Sequence, residues 1–156
     1  MIQIKQVDPT QSEVVELINQ LDEYQESMYP SESNHLDSLD ELSKTNVDFL
    51  AAYSDSKICG IGAVKILEDY GEIKRLYVPE TYRGRGIAEN IVKELENCLI
   101  EKSIFTARLE TGVHQLEAIG LYRKLGYSET VPFGDYTEDP LSVFMAKKIG
   151  GAIIKT

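Results

Sequence analysis

Arg83-Gly84-Arg85-Gly86-Ile87-Ala88 places two glycines, each preceded by an arginine, where an apolar strand ending at Val78-Pro79 gives way to an amphipathic helix. Residues of these types at this spacing are suited to holding a pyrophosphate. Glycine lets a backbone come close to a ligand, the unpaired N–H groups of a helix's first turn point at it, and the helix dipole favours negative charge there. Arg83 and Arg85 add fixed positive charge and forked donors that match phosphate oxygens. A Walker loop is excluded, because Gly86 is followed by Ile87 and Ala88 rather than by Lys and Ser or Thr. A dinucleotide fingerprint fits poorly too. Glu89 stands where its third glycine belongs, and the loop lies near mid-chain rather than at the first strand-to-helix turn.

The elements that must position this loop follow from hydrophobic periodicity. Ala88, Ile91, Val92, Leu95 and Leu99 repeat with the period of a helix. Residues 2–7 alternate as a strand, Asp8-Pro9-Thr10 ends it, and a helix follows from about Gln11 to Met28. A turn-rich loop spans 29–35 and a short helix 38–44. Strands at 47–53 and 57–67 flank a Ser54-Asp55-Ser56 hairpin, and a third antiparallel strand covers 72–78. After the cradle helix come a strand at 104–110, a helix at 115–125 closed by Gly126, a polar, aromatic loop at 131–140 and a last strand at 141–147. The order βααβββαβαβ predicts a mixed α+β fold, one mostly antiparallel sheet flanked by helices. It reads as one domain over residues 1–149 with a short tail at 150–156.

The bulk numbers narrow the function. A chain of 156 residues, 42% hydrophobic and 27% charged, has the size and composition of a soluble globular domain. No apolar run approaches the ~20 residues of a membrane span, and the chain begins in a strand-like alternation. A cytoplasmic location without a membrane partner is therefore expected. The net charge of −10 argues against nucleic acid. Residues 1–60 carry twelve acids against three bases, a net of −9, and residues 61–156 carry fourteen against thirteen, a net of −1. The acidic first part reads either as a solvated helix face or as a surface that steers a cationic substrate. Cys59 and Cys98 have no metal-ligand spacing, and no metal is expected.

The cradle, the order of elements and a second motif together resemble a known family. Arg83, Gly86 and Ala88 match the Gln/Arg-x-x-Gly-x-Gly/Ala consensus of the GNAT superfamily of acetyl-coenzyme A-dependent N-acetyltransferases. Leu109-Glu110-Thr111-Gly112, leading into Ala118-Ile119-Gly120-Leu121-Tyr122-Arg123-Lys124-Leu125-Gly126-Tyr127, is similar to that family's second motif. The Leu-Glu-Thr-Gly form resembles a branch of small bacterial members. The resemblance implies acetyl-coenzyme A as co-substrate, with its pyrophosphate on Arg83, Gly84, Arg85, Gly86, Ile87 and Ala88. It places the pantetheine arm along Leu76, Tyr77 and Val78, with Ala118 and Tyr122 on the following helix. Gln115 stands where the family commonly has Asn. The acceptor would be a primary amine of a small molecule or peptide, and the family adds a homodimer to the expectations. A binding or sensor module on the same fold is the alternative.

Acetyl transfer to an amine needs a base, an oxyanion donor and an acid for the departing thiolate. Tyr122 occupies the family's tyrosine position and fits the acid; its competing reading is a core tyrosine, disfavoured because Leu121 and Leu125 are expected to supply that core. Glu72 is the first candidate base, against an exposed carboxylate at a hairpin end beside Lys74. Glu110 is the second, against a structural acid holding the Thr111-Gly112 turn. A backbone N–H at Tyr77 or Val78 would serve the oxyanion. Tyr29, His35, Phe133 and Tyr136 could wall the acceptor pocket, and His114 reads as a cap of the following helix.

Overall fold

The computed structural model describes residues 1–30 and 37–150. Strands β1 (Ile2–Gln6), β2 (Val47–Ser54), β3 (Lys57–Ile66) and β4 (Gly71–Tyr77) form an antiparallel meander. Strand β5 (Thr106–Gly112) lies parallel to β4, and β7 (Ser142–Lys148) is antiparallel to both β5 and the two-residue β6 (Ser128–Glu129). The seven strands form one sheet in the order β1-β2-β3-β4-β5-β7-β6. Helices α1 (Ser12–Met28) and α2 (Leu39–Leu42) contribute to one buried cluster, with Val14, Leu17 and Leu42 against Phe49, Ile61 and Ala63. Helices α3 (Ile87–Glu101) and α4 (Leu116–Lys124) contribute to the other, with Ile91, Leu95 and Tyr122 against Val64, Ile73 and Leu109. The expected mixed fold is found, with β6 as an addition that two residues of sequence could not announce. The tail residues 151–156 lie outside the described part of the chain.

Local chemistry accounts for the elements. In α3 the residues Ile87, Ile91, Val92, Leu95 and Leu99 are buried as one stripe. α1 carries five acids and no base, so its outward side supplies much of the chain's negative charge. Asp55 and Ser56 both have positive φ, as a two-residue hairpin turn requires. At the end of α4 the Gly126 N–H donates to Arg123 O at 3.0 Å and the Tyr127 N–H to Tyr122 O at 2.9 Å, a Schellman cap with Gly126 at φ +103°. Tyr127 Oη then donates to Glu96 at 2.7 Å, and Lys147 Nζ reaches the same carboxylate at 3.1 Å, which ties α4, α3 and β7 together.

The feature that matters for function is a break in the sheet. β4 and β5 pair only from Gly71 to Ile73 with Ala107 to Leu109. Beyond that point the register of β4 against β3 jumps between Ile61 and Ala63, and Arg75 sits in the left-handed region at φ +59°. A bulge re-aims a strand, and a non-glycine residue held at positive φ marks a place where the surroundings impose the backbone. Here they do so through a buried guanidinium, which pairs with Asp22 of α1 and donates to the Asp37 carbonyl. The C-terminal ends of two adjacent parallel strands thus part above the cradle.

Candidate active site

The cradle has the geometry its residue types imply. Gly84 and Gly86 adopt φ +83° and +76°, and a methyl group added at either would meet nothing within 4 Å. Gly86 is the N-cap of α3, and the first helical bond runs from Asn90 N to Gly86 O at 3.1 Å. The N–H groups of Ile87, Ala88 and Glu89 therefore have no partner within the helix. Arg85 lies over the Tyr82 ring, 5.5 Å from its centroid. Arg83 is partly spent on structure, since its Nε donates to Val78 O at 2.9 Å and holds the end of the strand against the loop. A cavity of about 360 Å³ covers this corner, with Lys124 and Glu89, an ion pair at 3.1 Å, on its wall.

A second cavity of about 400 Å³ continues from the first, sharing Val78, Arg83, Ala88 and Leu121 with it. Leu76 and Tyr77 line it from the parted strand, Gln115 and Ala118 from the start of α4, and Leu21 and Tyr24 from α1. The sequence-expected pantetheine positions are thus brought onto one groove. Gln115 bends back, its Oε1 accepting from Gly112 N at 3.0 Å and from Thr111 Oγ1 at 3.3 Å. The amide nitrogen is left for the groove. Gln115 thus holds the Thr111-Gly112 turn.

Tyr122 packs its ring into the core. It is 5% exposed, packs edge-on to Tyr127 at 5.6 Å, and burial pushes its phenol well above the usual range. Leu121 lines the groove, whereas the half-buried Leu125 packs against the core, so only Leu121 departs from the expectation that these two leucines supply the helix's core contact. The reason is phase. A nine-residue helix buries only Ile119 and Tyr122 and turns Leu121 toward the groove.

Glu72 is buried at 6% exposure, which removes the exposed hairpin-end reading. The α1-side face of β4 carries it beside Lys74, and the loop before β7 brings Tyr136 onto the pair. Glu110, on β5, accepts from Ser142 Oγ at 2.7 Å. Phe133 is buried in an aromatic cluster with Tyr70, Tyr136 and Phe144, at centroid distances of 5.2–5.9 Å. It covers the sheet and does not line the groove. Tyr29 packs against Gly112, accepts from His114 N at 3.1 Å and lies parallel to the His114 ring at 5.9 Å. The His114 ring borders the groove, and the helix start at Gln115 has no side-chain cap, so the capping role expected of His114 is not found. His35 lies outside the described residues. Lys74, Tyr24 and Leu21 were not singled out by sequence, although alternation along β4 puts Lys74 on the same face as Glu72.

A helix start that offers three N–H groups, an arginine beside it and a groove running to parted parallel strands is the arrangement of an acyl carrier site. The model of the Acetyltransferase (GNAT) family matches residues 14–127. The chain belongs to the GNAT acetyltransferase family. Among GNAT relatives it is 41% identical over 150 residues to an IAA acetyltransferase of Azospirillum brasilense, covering 95% of this chain and 98% of the relative. A solved structure from Klebsiella pneumoniae, described as an acyl-CoA N-acyltransferase, is 36% identical and superposes with a TM-score of 0.83 over 96% of this chain and 99% of that one. The PaiA N-acetyltransferase of Thermoplasma acidophilum, solved in complex with coenzyme A, shares the fold at a TM-score of 0.74 and 19% identity, over 95% and 99% of the two chains. This GNAT protein is accordingly an acyltransferase.

Proposed function

We propose that this protein moves an acetyl group from acetyl-coenzyme A to a primary amine of a small molecule or peptide. The observation that carries the reading is the continuous groove from the α3 start to the gap between β4 and β5. The residues present fit the carrier: open N–H groups at Ile87 to Glu89, glycines that leave room above the loop, and Arg85 beside it suit a pyrophosphate. The Leu76–Val78 edge and the apolar Ala118 and Leu121 suit a slender, partly polar arm. Acetyl-coenzyme A supplies the activated acyl group.

The chain's own residues supply the rest. Glu72 takes the proton from the acceptor ammonium, whose amine of pKa ~10.4 in a lysine-type group is not a nucleophile at neutral pH. Glu110 is the second candidate for that role. A backbone N–H of Tyr77 or Val78 donates to the acyl oxygen as it becomes negative. Tyr122, kept neutral by burial, gives a proton toward the leaving sulfur. The acidic α1 surface favours the approach of a cation.

The test is thiol release over a panel of polyamines, amino acids, aminoglycosides and peptides. Release that depends on one class of amine, with Tyr122→Phe strongly reduced, supports the reading. Stabilisation by acetyl-coenzyme A with no turnover of any amine would favour a binding module.

A further inference from the structure

Glu72 does not stand alone. Its Oε2 accepts from Tyr136 Oη at 2.5 Å and from Lys74 Nζ at 3.2 Å. The same ammonium lies 3.2 Å from Tyr136 Oη and 3.2 Å from Asp37 Oδ1. Glu72 Oε1 accepts no hydrogen bond among the described residues, yet it is not one of the two enclosed, unpartnered side-chain atoms, which are Asp37 Oδ2 and Arg75 Nε. One oxygen is therefore fixed and the other is open.

The surroundings explain why the fixing falls to these two residues. Register places Lys65 of β3 and Arg108 of β5 on either side of Glu72, but among the described residues neither forms an ion pair or hydrogen bond with it. Lys65 reaches toward Glu41, and Arg108 lies over the Tyr70 and Phe133 rings. Among the described residues Lys74 bridges the buried carboxylate of Glu72 and the partly buried one of Asp37, and Tyr136 closes the cluster from the loop before β7. Two carboxylates against one ammonium leave the cluster a net negative place for a cation to arrive.

We propose that Lys74 and Tyr136 are positioning residues for the transfer: they pin Glu72 Oε2, so that Oε1 is the atom that takes the acceptor's proton. This rests on the reading of Glu72 as the base. In the step, an ammonium N–H bond breaks, the proton goes to Oε1, and the electron pair stays on nitrogen. That pair then forms the bond to the acyl carbon and pushes the carbonyl pair onto oxygen; as the carbonyl re-forms, the C–S bond breaks onto sulfur, and the second proton lost by nitrogen ends on that sulfur, giving amide and free thiol. A carboxylate free to rotate would present either oxygen at variable depth, whereas a pinned one presents a single oxygen in line with the approach.

The experiment compares ethylamine, which arrives protonated, with 2,2,2-trifluoroethylamine, which is already neutral at pH 7 and has nearly the same shape. In Tyr136→Phe, kcat/KM for ethylamine falls about 10- to 100-fold, part of the ~10²–10⁴ a positioned base contributes. For trifluoroethylamine the loss stays within about threefold, because its nitrogen pair is already free and the one proton it still loses ends on the departing sulfur. KM for acetyl-coenzyme A holds. Lys74→Gln acts in the same direction and more strongly, and Lys74→Arg recovers part of the loss. Equal losses on both amines would overturn the proposal and leave the cluster a structural one. Glu72→Gln run alongside separates the two levels. If it discriminates between the amines while Tyr136→Phe and Lys74→Gln do not, only the positioning proposal fails. If Glu72→Gln does not discriminate, or the unaltered protein turns over neither amine, the base reading fails and the proposal with it.

Discussion

Gly112→Ala is a small change with a large expected effect, because the space its methyl would need belongs to Tyr29. A Cβ at Gly112 would overlap the Tyr29 hydroxyl and the ring carbon bearing it, and Cε2 would lie only 2.8 Å away. The ring is buried and rigid, so it cannot yield as the end of an aliphatic chain does. Overpacking of this kind costs ~1–3 kcal/mol. Expelling the ring also forfeits the His114 N–H bond, ~0.5–1.5 kcal/mol, and the stack on His114, of similar size. A total of about 3 kcal/mol lowers the melting temperature by ~6–12 °C for a domain of this length. Gly112 is not among the positive-φ positions, so alanine meets no backbone penalty there. In a Tyr29→Ala background the same substitution should change sign and stabilise by ~0.4–1 kcal/mol, through a less flexible unfolded chain. Urea unfolding of the two single variants and the double, at constant m, gives the cycle. Strict additivity, or a Gly112→Ala cost below ~0.5 kcal/mol, would refute the packing argument.

The other predictions concern the groove and the buried phenols. Tyr122→Phe lowers kcat ~10²-fold while leaving the affinity for acetyl-coenzyme A, measured calorimetrically, within about twofold. Arg85→Ala raises KM for acetyl-coenzyme A about tenfold, as loss of one charged hydrogen bond implies; Arg83→Ala also lowers kcat, because Val78 O loses its donor. Burial pushes the phenols of Tyr122, Tyr127 and Tyr136 up, with Glu96 beside Tyr127 and Glu72 beside Tyr136 adding to it. Folded chains then hold these protons more tightly than unfolded ones, so the stabilisation is full below pH ~10 and is lost as pH rises above it. Tyrosinate absorbance should show these three silent until the chain unfolds. All nine tyrosines titrating together near pH 10 with native circular dichroism would contradict this.

What could be read from the sequence was what short-range chemistry decides. The cradle was legible because glycines at positive φ, arginines and a helix start occupy six consecutive residues. The α4 cap was legible because Gly126 alone determines it. The Arg75 bulge was not, since it depends on a partner in α1, Asp22, 53 residues earlier. The clamp on Glu72 joins residues 64 apart through a loop whose path no local pattern specifies. Tyr122 and Leu121 are neighbours in sequence, and only the phase of a short helix against the sheet decides that the tyrosine ring is buried while the leucine lines the groove. Tyr29 shows the same limit: its seat over Gly112 joins two residues far apart in the chain, which no local pattern specifies.

The central claim is that the groove between β4 and β5 delivers an acyl group to an amine. The most direct measurement follows free thiol and N-acetyl amine together, by absorbance and mass spectrometry, in one reaction of protein, acetyl-coenzyme A and the best amine of the panel. The two products should appear in equal amounts, both falling together in Glu72→Gln. Thiol released without acetylated amine, or acetyl-coenzyme A bound with neither product formed, would contradict it.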